Sequence, residues 1–285
     1  MDNFKKYYKW YFLVFIAAIA FFVWYAVFRE SRKELSVWML DVGQGDGIFI
    51  EAPSGGQILI DGGPNKKILQ ELGNIMPFYD KQIDAVLLTH PHEDHLNGLI
   101  EVLKKYRVLA VLESGNKSDN ASYKEFENTI KQKNIPRFFI KKGTKININE
   151  NAVLDILLPV FTIKNGDIHN QMVVAKLNYG KTDFLFTGDM EKNLENYLVL
   201  TKKENLKSDV LKIGHHGSRT STSEEFLGWG FPQIALISAG QNNSYGHPTK
   251  EILNRLDSFA VKIFRTDLDG RIKIKSDGET IEVEK

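Results

Sequence analysis

Six of the seven histidines lie in three short stretches, each close behind an apolar run: His90, His92 and His95, then the pair His215-His216, then His247. The first stretch reads Thr89-His90-Pro91-His92-Glu93-Asp94-His95 and offers four potential ligands within six residues, His90, His92, Asp94 and His95. Neither a strand nor a helix aims all four one way. A compact loop has to fold them around a metal, and their two-residue offsets suit two adjacent ions better than one. A lone histidine is usually an ordinary core or surface residue, but a cluster directly behind the buried run Ile-Asp-Ala-Val-Leu-Leu is not. The chain has no cysteine, which excludes thiolate metal sites, disulfide frameworks and cysteine nucleophiles. Any metal is held by imidazole and carboxylate, a donor set that suits zinc first and also manganese or iron.

These residues need a scaffold of strands ending in loops. Short apolar runs bounded by glycine predict strands over 36–40, 47–52, 57–61 and 83–89, with turns at Gly43, Gly45 and Ser54-Gly55-Gly56. Further strands are expected over 108–112, 153–157, 172–178, 183–186, 210–213, 234–238 and 272–274. Leu96, Leu99, Ile100 and Leu103 recur at spacings of three and four, which predicts an amphipathic helix over 95–106. Other helices are expected over 68–72, 123–133, 192–200 and 249–257. Strands outnumber helices and mix hairpin spacing with helical crossovers. The pattern is that of a layered α/β fold with two sheets between helices, in which loops at strand ends carry the chemistry. Gly43, Gly45 and Gly47 superficially resemble a phosphate cradle, but a strand follows them rather than a helix, so they are turn glycines.

The chain has 285 residues, 42% apolar and 26% charged, which excludes disorder and suits one large domain without tandem repeats. Its 37 basic and 36 acidic side chains nearly cancel. Bulk charge therefore does not advertise a nucleic-acid binder. Behind a short basic tail, residues 1–9, the 19 residues 10–28 carry no charge. As a helix they span roughly 28 Å, close to the hydrocarbon thickness of a bilayer. Aromatics crowd both ends, as interfacial belts do. A cleaved signal peptide would have a shorter apolar stretch and a small-x-small cleavage site, so a retained membrane anchor is expected. Lys5, Lys6 and Lys9 precede the span and Arg29, Arg32 and Lys33 follow it. The charge count is almost balanced, and the usual retention of a short basic terminus inside puts the domain at 36–285 outside the cell membrane.

The stretch Thr89–His95 resembles the HxHxDH signature of the metallo-β-lactamase superfamily. Further segments occur in the family's order and resemble most the branch related to the ComEC/Rec2 competence proteins. They are LDVGQGDGIFI from Leu40, LIDGG from Leu59, FTGD from Phe186, LKIGHHGS from Leu211, NSYGHP from Asn243 and FRTDLDGRI near the end. The match covers about 36–275. The large channel regions of the competence proteins are missing and only one span is present, so the chain is not the DNA channel itself.

The resemblance implies a four-layered αββα sandwich and a pair of divalent ions. It assigns His90 and His92 to the first ion, Asp94 and His95 to the second, and Asp189 as a carboxylate bridging both. One of His215 and His216 completes the first site, with His215 favoured as the first after its strand, and His247 completes the second. The other histidine of the pair faces the substrate or donates a proton; His216, with Asp94, is the expected catalytic group. Asp61, closing its strand, matches the superfamily carboxylate that orients a ligand histidine, and Asp46 either does the same or caps its turn. Most members carry another ligand histidine before the bridging aspartate. Here that region reads Ile168-His169-Asn170-Gln171, and the competence-like branch has an asparagine there, so Asn170 is a candidate substrate contact and His169 a rim residue. Ser218 and Arg219 follow the histidine pair as further candidates, with Arg219 able to grip a phosphate in bidentate fashion.

Two ions sharing a carboxylate serve hydrolysis of esters, thioesters, β-lactams or phosphodiesters. The branch resemblance favours a phosphodiester, in DNA or in a phosphorylated envelope component such as phosphorylcholine. The runs Lys104-Lys105-Tyr106-Arg107 and Lys141-Lys142-Gly143-Thr144-Lys145 are candidates for a basic track along a nucleic-acid backbone, or are simply solvated faces. A hydrolase of a non-phosphate ester, thioester or lactone is the alternative enzyme, and an inactive metal-stabilised binding module the alternative outside enzymes. Nothing in the sequence points to a protein partner.

Overall fold

A computed structural model describes residues 2–30, 34–160 and 171–284. Helix α1 (Asp2–Glu30) precedes the strands β1 (Leu35–Met39), β2 (Ile48–Glu51) and β3 (Gln57–Ile60). Helix α2 (Lys67–Ile75), β4 (Gln82–Leu88), α3 (Glu93–Lys105), β5 (Arg107–Glu113), α4 (Ala121–Gln132) and β6 (Arg137–Phe139) follow. Four more strands come next, β7 (Lys145–Asn147), β8 (Ala152–Leu158), β9 (Val174–Tyr179) and β10 (Thr182–Phe186). The remainder alternates: α5 (Lys192–Lys202), β11 (Val210–Lys212), α6 (Glu224–Gly230), β12 (Ile234–Ile237), α7 (Lys250–Ser258), β13 (Lys262–Arg265), α8 (Thr266–Asp269), β14 (Ile272–Ser276) and β15 (Ile281–Glu284).

The strands form an eight-stranded sheet, ordered β15-β14-β1-β2-β3-β4-β5-β6, and a seven-stranded sheet, ordered β13-β12-β11-β10-β9-β8-β7. The β3–β6 and β10–β13 blocks are parallel, and their connecting helices cover the outer faces. Strands so covered bury both faces and read as nearly continuous apolar runs, as Gln82–Leu88 does. Val37, Ile50 and Leu87 of the first sheet meet Leu154, Leu177, Phe184 and Leu236 of the second in the central core. Outside the first sheet, Leu72, Leu99, Leu103 and Phe126 of α2–α4 pack on Phe49, Val86 and Val111. Outside the second, Leu198, Phe226 and Ile252 of α5–α7 pack on Leu185, Leu211 and Ile237. The layers are helix, sheet, sheet, helix, as expected.

Several edge elements were not expected from the sequence: β6, β7, β13, β15 and α6 are three to seven residues long, too short to display a period. Helix α3 starts at Glu93, two residues before the predicted boundary. Asp94 therefore joins His95 on its first turn instead of lying in the preceding loop. Acidic side chains at Glu93 and Asp94 suit that end of a helix dipole. Within α1, the stretch Tyr7–Tyr25 is long and apolar enough to cross a membrane, and none of it is buried.

Candidate metal centre

The centre is assembled at the carboxyl ends of β4, β10, β11 and β12. His90 and His92 come from the loop behind β4, Asp94 and His95 from the first turn of α3, and Asp189 from the turn behind β10. The turn behind β11 carries His215 and His216, both with left-handed backbones (φ 46 and 53), a conformation that non-glycine residues adopt mainly under constraint. The β1–β2 loop braces the assembly from below. Gly45 lies so close to α3 that a Cβ there would stand 2.1 Å from the Asp94 carbonyl oxygen, and the next residue, Asp46, donates its amide to that oxygen.

Three imidazoles present the same atom to the centre because their Nδ1 atoms are engaged behind it. Nδ1 of His95 donates to Oδ2 of Asp61 at 2.7 Å, Nδ1 of His216 to the Ser238 carbonyl at 3.0 Å, and Nδ1 of His90 meets the Thr89 hydroxyl at 3.0 Å. Their Nε2 atoms converge on Asp189, whose two oxygens face different groups. Oδ1 lies 3.3 Å from His95 Nε2 and 3.5 Å from His216 Nε2. Oδ2 lies 3.8 Å from both His90 Nε2 and His215 Nε2. Two ligand clusters therefore share one carboxylate: Asp94, His95, Asp189 and His216 form one, and His90, His92 and Asp189 the other, the donor atoms of each lying within 4.8 Å of one another.

Nε2 of His95, Nε2 of His216 and Oδ1 of Asp189 are buried with no hydrogen-bond partner. Buried polar atoms are almost always paired, and a divalent cation satisfies all three at once. The nitrogen and oxygen donors fit zinc, manganese or iron. Burial disfavours charge on these side chains, but their mutual field outweighs it. The carboxylates of Asp189, Asp61 and Asp94 raise His95 well above its ordinary pKa, and those of Asp189 and Asp46 push His216 up to about 9. The imidazoles in turn hold Asp189 well below the usual carboxylate range and lower Asp94. His90, buried and facing His95, is held well below its ordinary value.

The arrangement differs from the sequence expectation at His216, expected to face the substrate, and at His247. His216 stands beside Asp94 and His95, the place expected for His247. The left-handed turn folds His216 inward to the Ser238 carbonyl, whereas His247 rides on the loop behind β12 and stays half-buried. The His247 ring lies 5.9 Å from the His215 ring and stacks on Tyr245 at 6.0 Å. Both line a cleft of about 560 Å³ over the centre, with Gln44, His92 and Asn97. Asp61 backs His95 at its Nδ1, and Asp46 does more than cap a turn, since its carboxylate lies 3.4 Å from His216 Nδ1. Ser218 is buried in hydrogen bonds within its own turn, to Thr220 and the His215 carbonyl, and Arg219 is exposed beside it. Asn170 and His169 lie outside the described residues. Lys104, Lys105 and Arg107 lie at the far end of α3 and the start of β5, at the opposite edge of the sheet from the centre, so that run is not a track leading into it.

Sequence reasoning missed Lys212. Fully buried, it forms an ion pair with Asp46 and donates to the Gly188 carbonyl at 2.7 Å, beneath the centre. Its signal was a lone charge within the apolar run of β11.

A sequence profile of the metallo-beta-lactamase superfamily matches residues 40–240. ComE operon protein 3 of Bacillus subtilis is 34% identical over 263 residues, which cover 85% of this chain and 33% of that protein. Recombination protein 2 of Haemophilus influenzae is 28% identical over 259 residues, covering 89% and 30% respectively. The chain thus spans about a third of the length of these curated relatives. The crystal structure of the metallo-beta-lactamase fold protein YhfI from Bacillus subtilis shares the fold, with a TM-score of 0.54 over 81% of this chain and 96% of that one at 11% identity. The profile runs from the end of β1 to the loop behind β12 and takes in every residue of the two ligand clusters: the chain belongs to the metallo-β-lactamase superfamily.

Proposed function

We propose that the protein is a membrane-tethered phosphodiesterase or nuclease that holds two divalent cations, zinc first. The observation that carries this reading is the carboxylate of Asp189 set between two ligand clusters. Asp94, His95, His216 and Asp189 would hold one cation; His90, His92 and Asp189, with His215 beside Asp189, would hold the other. When bound, the pair supplies Lewis acidity to a phosphoryl oxygen and a nucleophile at neutral pH.

The chain's own residues do the rest. Asp61 and Thr89 fix the imidazoles of His95 and His90 with Nε2 inward, the orienting role that neighbours of metal ligands generally take. Lys212 balances Asp46, which in turn faces His216. Both nitrogens of His216 are committed, so proton exchange with the substrate falls to His247, which lines the cleft. Burial lowers its pKa, which suits it to exchange a proton without a permanent charge. A DNA phosphodiester is favoured because relatives carry names such as Recombination protein 2 and Competence protein ComA. Helix α1 provides the tether, with the domain outside the cell.

The full chain in detergent is expected to contain two metal ions by elemental analysis and to cleave bis-p-nitrophenyl phosphate and single-stranded DNA. Asp189→Ala and His95→Ala are each expected to lower turnover by on the order of 100-fold or more. Turnover of a lactone with no phosphodiester cleavage overturns the substrate assignment. Failure to retain metal after reconstitution overturns the enzyme reading itself.

A further inference from the structure

The strand edge opposite the metal centre can be traced across both sheets. The Lys262 amide donates to the Gln233 carbonyl, the Gln233 amide to Asp209, and the Asp209 amide to Asp183, each at 2.9–3.0 Å. These bonds join the amino ends of β13, β12, β11 and β10. Thr182, at the start of β10, meets the Ser276 hydroxyl at 2.7 Å, and Ser276 pairs with Leu35, the first residue of β1. β1 runs in the direction of β3 and β4, since both β1 and β3 are antiparallel to β2. The same edge therefore includes the loop 76–81 in front of β4 and, through the bond from the Arg107 amide to the Lys81 carbonyl, the start of β5.

Large aromatics are exposed along this edge. Phe78 is 87% exposed and Tyr79 59% in the loop before β4; Trp229 is 44% exposed in the last turn of α6 and Phe231 73% in the turn that follows it, before β12. Phe231 caps α6 in the left-handed region (φ 44), where glycine or asparagine usually sits, and its exposure leaves packing no part in the choice of a phenylalanine. Large exposed apolar groups on one face mark an interaction surface. Lys81, Lys105, Arg107, Lys207 and Lys262 are exposed beside them. Asp80, Glu204, Asp257, Asp277 and Glu279 share the edge, so the aromatics rather than net charge would carry the contact. Chain continuity identifies the occupant. Glu30 ends α1 and Leu35 starts β1, a separation of five residue steps, or at most about 17 Å. The edge cannot be far from whatever α1 enters.

We propose that this edge docks on the bilayer that receives α1, with Phe78, Tyr79, Trp229 and Phe231 seated in the interfacial layer, where aromatic rings are favoured, and the metal centre facing away. This rests on α1 being a membrane tether, as proposed above. β4 has seven residues, so the centre stands roughly 20 Å above the lipid surface and takes its substrate from the aqueous phase rather than from the leaflet.

With no native cysteine, Phe78→Cys, Phe231→Cys and Tyr245→Cys in the full chain each accept one fluorophore. The variants are reconstituted into phosphatidylcholine and phosphatidylglycerol vesicles containing doxyl-labelled lipid, and vesicle association is read by flotation. The labels at 78 and 231 are expected to lose on the order of half of their emission, and the label at 245, over the cleft, almost none. Labels at 78 and 231 that stay bright on floating protein, or equal quenching at 245, overturn the docking and leave the tether standing. A chain that does not float overturns both.

Discussion

Asp61 reaches His95 with Oδ2 only 2.7 Å from Nδ1, and it does so from a left-handed backbone (φ 56) while accepting the Thr89 amide at 2.8 Å and the Thr89 hydroxyl at 2.7 Å. Three donors thus lock one buried carboxylate, which in turn locks the ring of a ligand. Burial raises the Asp61 pKa, against the pull of His95. Asp61→Ala frees the His95 ring and is expected to weaken metal binding about 10- to 100-fold, measured by competition with a chromophoric chelator. Unchanged affinity would remove Asp61 from the site's support.

Chelation reads the same centre through stability. Ligand that binds only the folded chain adds about 2.7 kcal/mol at a concentration 100 times its dissociation constant. Treatment with a strong chelator is therefore expected to lower Tm, and added zinc to restore it. The Asp189→Ala variant should show little of either response, because its two clusters lose their shared ligand.

Lys212 and Asp46 are both buried, and removing one partner strands the other's charge. Lys212→Met is expected to cost about 3–5 kcal/mol, read by chemical denaturation of the metal-free protein. The double variant Lys212→Met with Asp46→Asn should recover much of that loss. If the single substitution is neutral, the pair contributes nothing that an apolar contact cannot.

That the first stretch gathers its donors at one place was legible because four donors in six residues admit few structures, and the layers because most buried strands are predominantly apolar runs. The partition of His215, His216 and His247 was not, since it depends on two left-handed residues whose dihedral angles leave no trace in residue type. Lys212 was passed over for a related reason: its partner, Asp46, is 166 residues away and meets it only once the two sheets stack. The edge strands β6 and β13 were missed because three or four residues show no alternation. Asp94 was expected just ahead of the helix that begins at His95, yet with Glu93 it opens that helix, because acidic side chains suit its amino terminus.

Glycines at the centre carry a steric demand that can be tested. A Cβ at Gly98 in α3 would stand 1.8 Å from the Gly62 carbonyl oxygen, and one at Gly62 would stand 2.3 Å from the Leu99 amide nitrogen. This close approach sets the distance between α3, which carries His95, and the loop that carries Asp61. Gly98→Ala must push backbone from backbone and is expected to cost about 1–3 kcal/mol while also weakening metal binding. Gly73→Ala in α2 meets nothing within 4 Å and should be neutral or stabilise by up to about 1 kcal/mol. Equal thermal shifts for the two would refute the steric argument.

Glu195 of α5 gives the fold a pH dependence away from the metals. Its carboxylate accepts the Thr222 amide and, at 2.8 Å, the Ser223 amide, holding the start of α6. Burial raises its pKa above the ordinary 4.5, although those amides oppose the shift. A carboxyl with a raised folded pKa binds its proton more tightly in the folded state than in the unfolded chain. Its contribution is therefore complete below about 4.5 and is lost as pH rises through the folded pKa. Glu195→Gln cannot titrate. The Tm of wild type minus that of the variant, measured with chelator present throughout, is expected to be greatest in acid, to shrink as pH rises through the raised pKa and then to level off. A difference that grows with pH would mean that the two amides, and not burial, govern this carboxyl.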